Sequence, residues 1–353
     1  LEWGLGHAAR MIPVAKRLQS AGNNVFVGAG EKHLALFRPE PEINLIDFPG
    51  FSPTYSRFLP QYLAMLLRTP LLLYHIIREH QKLKKIIQKF KIDIVISDNR
   101  FGLWNKNITS VYFTHILRIP LPKLLKPLEG IGVLLHRAVI NQYDHCFIPD
   151  LPGELNLSGK LSHNVKLPVN AGYAGILSRF MDTKESSDPL PAFQYDLVIL
   201  SGPEPQRSIL KKKIEKAAEK NETVTIFLEG RPEEMPSETR KGNFIYYTHL
   251  HAPFMKKLIM NSRKIISRSG YTTVMDLVAT GKSALLIPTP GQTEQEYLAR
   301  YLSEKCFFRT VDQDDIKILN VPVAMNNFTR SIPEESRILL DKALSELLKE
   351  GNK

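Results

Sequence analysis

A histidine beside a glycine turn, a carboxylate closing an apolar run and a Ser-Gly step that opens a helix are the features of this 353-residue chain whose residue types and spacing could do chemistry. Gly4-Leu-Gly6-His7 leads into Val14–Gly22, a helix closed by glycine, and such a turn lets backbone N–H groups approach an anionic ligand. The run Ile92–Ser97 ends in Asp98 and then a glycine-containing loop. Ligands of α/β sheets gather at the carboxyl ends of parallel strands, so Asp98 is expected at the rim that carries His7. A carboxylate there would hold the imidazole in one tautomer and stabilise its protonated form, as a general base requires. The same residues also have purely structural uses, His7 as a helix-start cap and Asp98 as a cap on the turn that follows it.

The second half of the chain carries two more turns of this kind. In Ser201-Gly202-Pro-Glu-Pro-Gln-Arg207 a strand, a Gly/Pro turn and a basic helix start form a diphosphate cradle with Arg207 as counter-charge. In Ser267-Arg-Ser269-Gly270-Tyr-Thr272-Thr273-Val-Met-Asp276 a strand delivers a Ser-Gly step to a helix whose first N–H groups can meet phosphate. Asp276, further along that helix, can accept from ribose hydroxyls. The next strand runs out at Pro288 into a polar loop, where Gln292 and Gln295 offer the donors and acceptors that suit sugar hydroxyls. Neither GxxxxGK[ST] nor GxGxxG occurs, so the chain has no fingerprint for ATP or NAD chemistry.

These turns need strands and helices to hold them. Short β-branched runs at 24–27, 92–96, 110–113, 197–200, 224–228, 264–267 and 284–287 alternate with helical stretches, which predicts an α/β fold with parallel sheets covered on both faces. The polar, twice-proline segment Phe180–Pro191 reads as a linker. It separates an expected first domain, 1–180, from an expected second domain, 193–330. Residues 331–353 form a helix expected to pack back on the first domain, with acidic residues in its first turn. Three residues precede Gly4, so the first strand of the N-terminal sheet is expected to be missing.

Composition is that of a globular protein, 43% hydrophobic and 24% charged, which excludes collagen, coiled coil and wholesale disorder. Cys146 and Cys306 lie far apart with no metal-ligand spacing, excluding a disulfide framework or structural zinc and fitting a reducing, cytoplasmic setting. The longest apolar stretch, 62–77, is broken by Arg68 and Pro70 and falls short of the roughly 18–20 apolar residues of a membrane span. No signal peptide is visible. The net charge of +11 is concentrated in residues 1–180, with 22 Lys and Arg against 12 Asp and Glu, and it favours an anionic partner. The basic stretch His80–Lys91 lacks the interleaved aromatics of a nucleic-acid platform, so nucleic acid is not expected. The mixtures Phe58–Leu67 and Arg118–Leu128 suit the surface of an anionic bilayer, at the inner face of the membrane, although a core helix is the better explanation of the apolar part.

Taken together, 267–300, Gly4–His7 and the two α/β halves with a terminal helix resemble the inverting GT-B glycosyltransferases. They resemble especially the lipid-linked peptidoglycan N-acetylglucosaminyltransferases and the UDP-glycosyltransferases. The resemblance implies two Rossmann-like domains facing across a cleft and a UDP-sugar as co-substrate, with no cofactor and no metal. It implies that Ser269, Gly270 and Thr272 or Thr273 meet the donor diphosphate and that Asp276 takes the ribose. Gln295 is implied as a sugar contact, beside Glu296 where the lipid-linked branch has a second glutamine. Arg179 falls where the family has a basic residue near the phosphates, His251 in the uracil-binding loop, and Gly202 and Arg207 in the second glycine loop. That loop is proline-rich here, where relatives have Gly-Gly-Ser. On the acceptor side the resemblance implies Gly4, Gly6 and His115, with His7 as base and Asp98 as its partner.

The expected reaction moves a hexose or N-acetylhexosamine to the hydroxyl of a small or lipid-linked acceptor. Helix N-termini and Arg179 or Arg207 would stabilise the departing diphosphate in place of a metal. Two alternatives stay open on the same residues: UDP-sugar 2-epimerisation, and nucleotide-sugar binding or membrane association without turnover.

Overall fold

The computed structural model describes residues 4–51, 67–121, 123–316 and 331–351. Most of the expected Phe58–Leu67 membrane segment lies outside them. The chain gathers into two compact units, one of residues 50–176 with 331–353, the other of 2–49 with 177–330. Residues 2–49 fall in the same unit as the C-terminal half.

The second unit is built on a seven-stranded sheet. Its strands are β7 (Tyr195–Ile199), β8 (Val224–Leu228), β9 (Glu238–Lys241), β10 (Phe244–Tyr247), β11 (Lys264–Ser267), β12 (Leu285–Leu286) and β13 (Arg309–Thr310), in the order 13-12-11-7-8-10-9. Every pairing is parallel except β9 with β10. All of β7 is buried, Asp196 included, as a central parallel strand covered on both faces should be. Register places Ser267 of β11 opposite Ile199 of β7, so the two Ser-Gly turns leave the sheet at the same edge. The core beneath them includes Val198, Leu210, Ile214, Phe227 and Ile266.

Four helices complete this part: α5 (Gln206–Ala218), α6 (Ala252–Asn261), α7 (Tyr271–Ala279) and α8 (Thr293–Glu304). Gly281, at φ +65°, ends α7 in a left-handed turn that a Cβ would strain. The N-terminal piece of the unit holds α1 (Gly6–Ser20), the single turn α2 (Glu31–Leu34) and a parallel pair, β1 (Phe26–Ala29) with β2 (Asn44–Asp47). Helix α1 begins at Gly6, eight residues before the expected Val14, and carries Pro13 inside it. It packs on α7.

In the first unit β3 (Ile94–Asp98), β4 (Thr109–Phe113), β5 (His145–Ile148) and β6 (Ala171–Tyr173) form a parallel four-stranded sheet in sequence order. Residues 69–77 of the apolar stretch and residues 80–90 of the basic stretch that follows belong to one 22-residue helix, α3 (Thr69–Phe90), ended by Lys91 at φ +51°. Helix α4 (Glu129–Ile140) packs over β4 and β5 through Ile140 and His136, with Tyr112, Tyr143 and Cys146 beneath. Burial pushes the Cys146 thiol up to about 12, and both cysteines are free. The C-terminal helix α9 (Ile332–Gly351) belongs to this unit: Ser336 Oγ accepts from Ile176 N at 3.0 Å. Gly175 lies so near that a Cβ on it would stand 2.4 Å from Ser336 Cα.

Candidate functional site

The carboxyl end of β11 is held by a fully buried arginine that the residue types alone did not single out. Arg268 donates through Nη1 to the carbonyls of Ile287 (3.3 Å) and Pro288 (3.0 Å), and through Nη2 to Gln206 O (2.9 Å) and Gln313 Oε1 (2.6 Å). One planar guanidinium thus joins the starts and ends of four segments around the Ser-Gly turn, which an ammonium could not do. Beside it Ser269, also buried, donates Oγ to Gln295 O at 2.9 Å, fastening the turn to α8. Gly270 is the extended N-cap of α7 and offers no side-chain cap, so the first N–H groups of that helix keep their positive end.

Asp276, one turn and a half into α7, is buried. Ser178 Oγ donates to its Oδ1 at 2.6 Å, and Arg179 Nε lies 3.6 Å from its Oδ2. Burial pushes this carboxyl above the usual range, while the Arg179 guanidinium and the Ser178 hydroxyl pull it back. Arg179 is itself positioned by Met255 Sδ, which accepts from Nη2 at 3.2 Å, and by the Phe180 ring. His249 is a neighbour that sequence reasoning missed. Burial and the Arg179 charge lower its pKa to about 4, so the ring is neutral at pH 7. His251 caps α6 by accepting from Phe254 N at Nδ1 (3.3 Å) and turns Nε2 to Asp188 (3.0 Å), which assigns its neutral tautomer.

The polar loop before α8 is bonded to itself. Gln295 Oε1 accepts from Thr289 N at 2.9 Å, and Glu296 Oε1 accepts from Gly291 N at 2.7 Å, which closes the turn entered through Gln292. The amide nitrogen of Gln295 lies toward Gly270, 4.0 Å from where a Cβ on that residue would stand. Thr273 Oγ1 is at the same distance. Ser269, Gly270, Thr272, Thr273, Asp276 and Gln295 are therefore gathered around one helix start.

The two glycine turns of this unit meet. Gly4 and Gly202 both have φ near +90°, and a Cβ on Gly4 would stand 4.0 Å from Gly202 Cα. Gly6 abuts Thr272, whose Oγ1 would lie 2.9 Å from a Cβ. The Arg207 guanidinium is turned to protein groups: Nε donates to Glu204 Oε1 (2.9 Å), and Nη1 to the carbonyls of Glu229 (3.3 Å) and Gly230 (3.1 Å). His7, in the first turn of α1, accepts at Nδ1 from Nη2 of the buried Arg10 (3.1 Å), so its neutral ring carries the proton on Nε2. Arg10 is the third residue that the sequence pattern left unmarked.

Asp98 belongs to the other unit, at the end of β3. The turn after it is firmly built. Asn99 sits at φ +52° and accepts at Oδ1 from Tyr112 OH (3.2 Å), and the Tyr112 hydroxyl also meets His136 Nε2 (3.1 Å). Arg100 makes a buried ion pair with Glu79 (3.2 Å), while its carbonyl accepts from Ser97 Oγ and Tyr143 OH. His115 is buried in the loop that follows β4. Among the described residues no group of three His, Cys, Asp or Glu side chains could hold a metal ion.

Residues 197–337 match the glycosyltransferase family 28 C-terminal domain. A protein of Methanosarcina acetivorans described as an uncharacterized glycosyltransferase is 26% identical over 339 residues, which cover 87% of this chain and 82% of that one. Among solved structures, the glycotransferase of kitacinnamycin superposes with a TM-score of 0.66 at 12% identity, covering 98% of this chain and 96% of its own. A spinosyn rhamnosyltransferase complexed with thymidine diphosphate superposes with a TM-score of 0.59 at 12% identity, covering 98% and 97%. At such identities these structures establish the fold, GT-B.

Proposed function

We propose that this chain, whose fold is GT-B and whose residues 197–337 match the glycosyltransferase family 28 C-terminal domain, moves a hexose or N-acetylhexosamine from a UDP-sugar to a hydroxyl acceptor, with inversion. The observation that carries this reading is the cluster at α7. A buried carboxylate, Asp276, stands between Ser178 and Arg179 one turn and a half from a helix start whose N-cap, Gly270, has no side chain. In this reading Asp276 takes the ribose hydroxyls, and the N-terminus of α7 with Thr272 or Thr273 takes the diphosphate. Gln295 turns its amide to the sugar, and His251 lies by the base. Arg179 and the helix dipoles stabilise the charge that develops on the leaving diphosphate, without a metal.

His7 is the proposed general base and Asp98 the carboxylate that orients it. Their chemistry requires Arg10 to release Nδ1, because Nε2 can take the acceptor proton only from a ring that carries its own proton on Nδ1. The excess of basic residues before position 180 supports a phosphorylated or lipid-linked acceptor.

Calorimetry of UDP, ADP, GDP and dTDP against the protein tests the donor assignment. Saturable binding that prefers UDP and weakens about tenfold to a hundredfold in Asp276→Ala is expected, as the loss of hydrogen bonds to a charged group implies. Preference for dTDP, the nucleotide held by the spinosyn rhamnosyltransferase, would change the donor, and no binding to any of the four would end the transferase reading of these residues. Turnover in His7→Ala separates the base from the binding site: UDP affinity should persist while transfer stops.

A further inference from the structure

We infer that the turn Gly202–Arg207 reads hydroxyl groups of the transferred sugar and excludes negative charge from it, with Glu204 and Gln206 as the residues that set this specificity. The inference rests on the donor site proposed above and names what that site accepts. From its residue types the turn is expected to cradle a diphosphate, with Arg207 as counter-charge. The structure leaves it few groups for that task. Pro203 and Pro205 carry no N–H. Arg207 N donates to Pro203 O (3.3 Å), and Ser208 N donates to Glu204 Oε2 (3.2 Å). The Arg207 guanidinium bonds to Glu204 Oε1 and to the carbonyls of Glu229 and Gly230.

Glu204 thus already supplies the negative charge that the start of α5 favours. Partial burial pushes its carboxyl up, but hydrogen bonds from Ser208 and Arg207 outweigh this and hold it below the usual range, so it is ionised at neutral pH. A phosphate brought to the same helix start would meet a like charge. At the start of α7 the N-cap is Gly270, and the first turn holds neither an acidic residue nor a proline. The two helix starts therefore divide the donor by charge: α7 suits the diphosphate, and α5 suits a neutral group.

What the α5 turn offers a neutral ligand is acceptors. Gln206, the first residue of α5, keeps its side-chain Oε1 buried with no hydrogen-bond partner among the described residues. An orphaned buried oxygen costs free energy, and a hydroxyl satisfies a side-chain amide whichever way the amide is turned. The Glu204 carboxylate, 49% exposed, keeps lone pairs for a second hydroxyl. The place of this turn beside the donor site is fixed through the backbone. Arg268 Nη2 donates to Gln206 O at 2.9 Å, and the next residue, Ser269, leads into the N-cap of α7. Ile199 and Ser267 pair in register, so both turns leave the same edge of the sheet. Sugar hydroxyls are the matching chemistry, because they are neutral and donate to both a carboxylate and an amide oxygen. A uronic acid would set its own carboxylate against Glu204.

Calorimetry without acceptor, using UDP, UDP-glucose and UDP-glucuronic acid, tests this, since the two sugars differ only in a hydroxymethyl against a carboxylate at C6. The parent should bind UDP-glucose about tenfold or more tighter than UDP-glucuronic acid. Glu204→Gln keeps the shape and removes the charge, and should narrow that gap to about threefold by strengthening UDP-glucuronic acid alone. Gln206→Leu should weaken UDP-glucose by about threefold to tenfold. UDP itself should bind both variants as it binds the parent, which also reports that each is folded. Equal binding of the two sugars by the parent would overturn the inference, as would a gap that Glu204→Gln leaves untouched. A variant that shifts UDP and UDP-glucose by the same factor would return the diphosphate to this turn. No binding of UDP by the parent would end the donor reading, and the inference would fall with it.

Discussion

At the end of β11 charged and polar side chains lie inside the protein, whereas on α3 and α4 apolar side chains lie outside it. Arg268, Ser269 and Asp276 are buried and each has partners, so the cost of desolvating them is offset by hydrogen bonds and ion pairing. Leu134, Leu135 and Ile77 remain in water with no such compensation. Both regions break the usual distribution of polar and apolar groups, and they do so in opposite ways. The first is scaffolding that fixes a helix start, and the second is apolar surface left in water.

Removing the scaffold should have the largest effect. Arg268→Ala leaves several buried carbonyls without donors and should cost about 3–5 kcal/mol in denaturant unfolding, and Arg268→Lys should recover little of it. If Arg268→Ala melts like the parent, burial at β11 is not what holds the turn. Next, Gly175→Ala puts a Cβ 2.4 Å from Ser336 Cα at φ +72° and should destabilise by about 2–3 kcal/mol. Gly6→Ala meets only the movable Thr272 side chain and should cost clearly less.

Acidification sharpens the contrast further. Burial holds His136 near 4, so its folded pKa lies below the unfolded value of about 6.5. The unfolded chain therefore binds the extra proton between these values. This contribution to stability is complete above about pH 6.5 and declines as the pH falls toward 4. From pH 7 to 5 the loss is about 2 kcal/mol, and His136→Gln should flatten the pH dependence by that amount. The smallest effect belongs to the exposed stripe: Leu134→Ser should change stability by no more than about 0.5 kcal/mol. A larger loss would mean that the stripe is packed in solution.

Much of the α/β pattern was legible because β-branched runs such as Val224–Leu228 and Lys264–Ser267 form strands in nearly any context where both faces are covered. The short strands β2, β5, β6, β9, β10 and β13 escaped notice, since two to four residues carry too little periodicity. The Ser-Gly step at 269–270 could be read as a helix start, because a glycine at that position has a local backbone reason to be there. Arg10 and Arg268 could not be singled out. Nothing in their neighbours along the chain indicates that a guanidinium will be buried, since its acceptors come from distant residues such as Gln313.

The sequence by itself determined the alternation of strands and helices, the turns that open α7 and α8, and the concentration of positive charge before residue 180, all properties of neighbouring residues. Tertiary structure alone decided that residues 2–49 join the C-terminal half, that Asp276 lies between Ser178 and Arg179, and that α4 turns leucines to solvent. Those outcomes depend on which surfaces meet across a hundred residues or more, and an amphipathic pattern specifies that a face is apolar without specifying what will cover it.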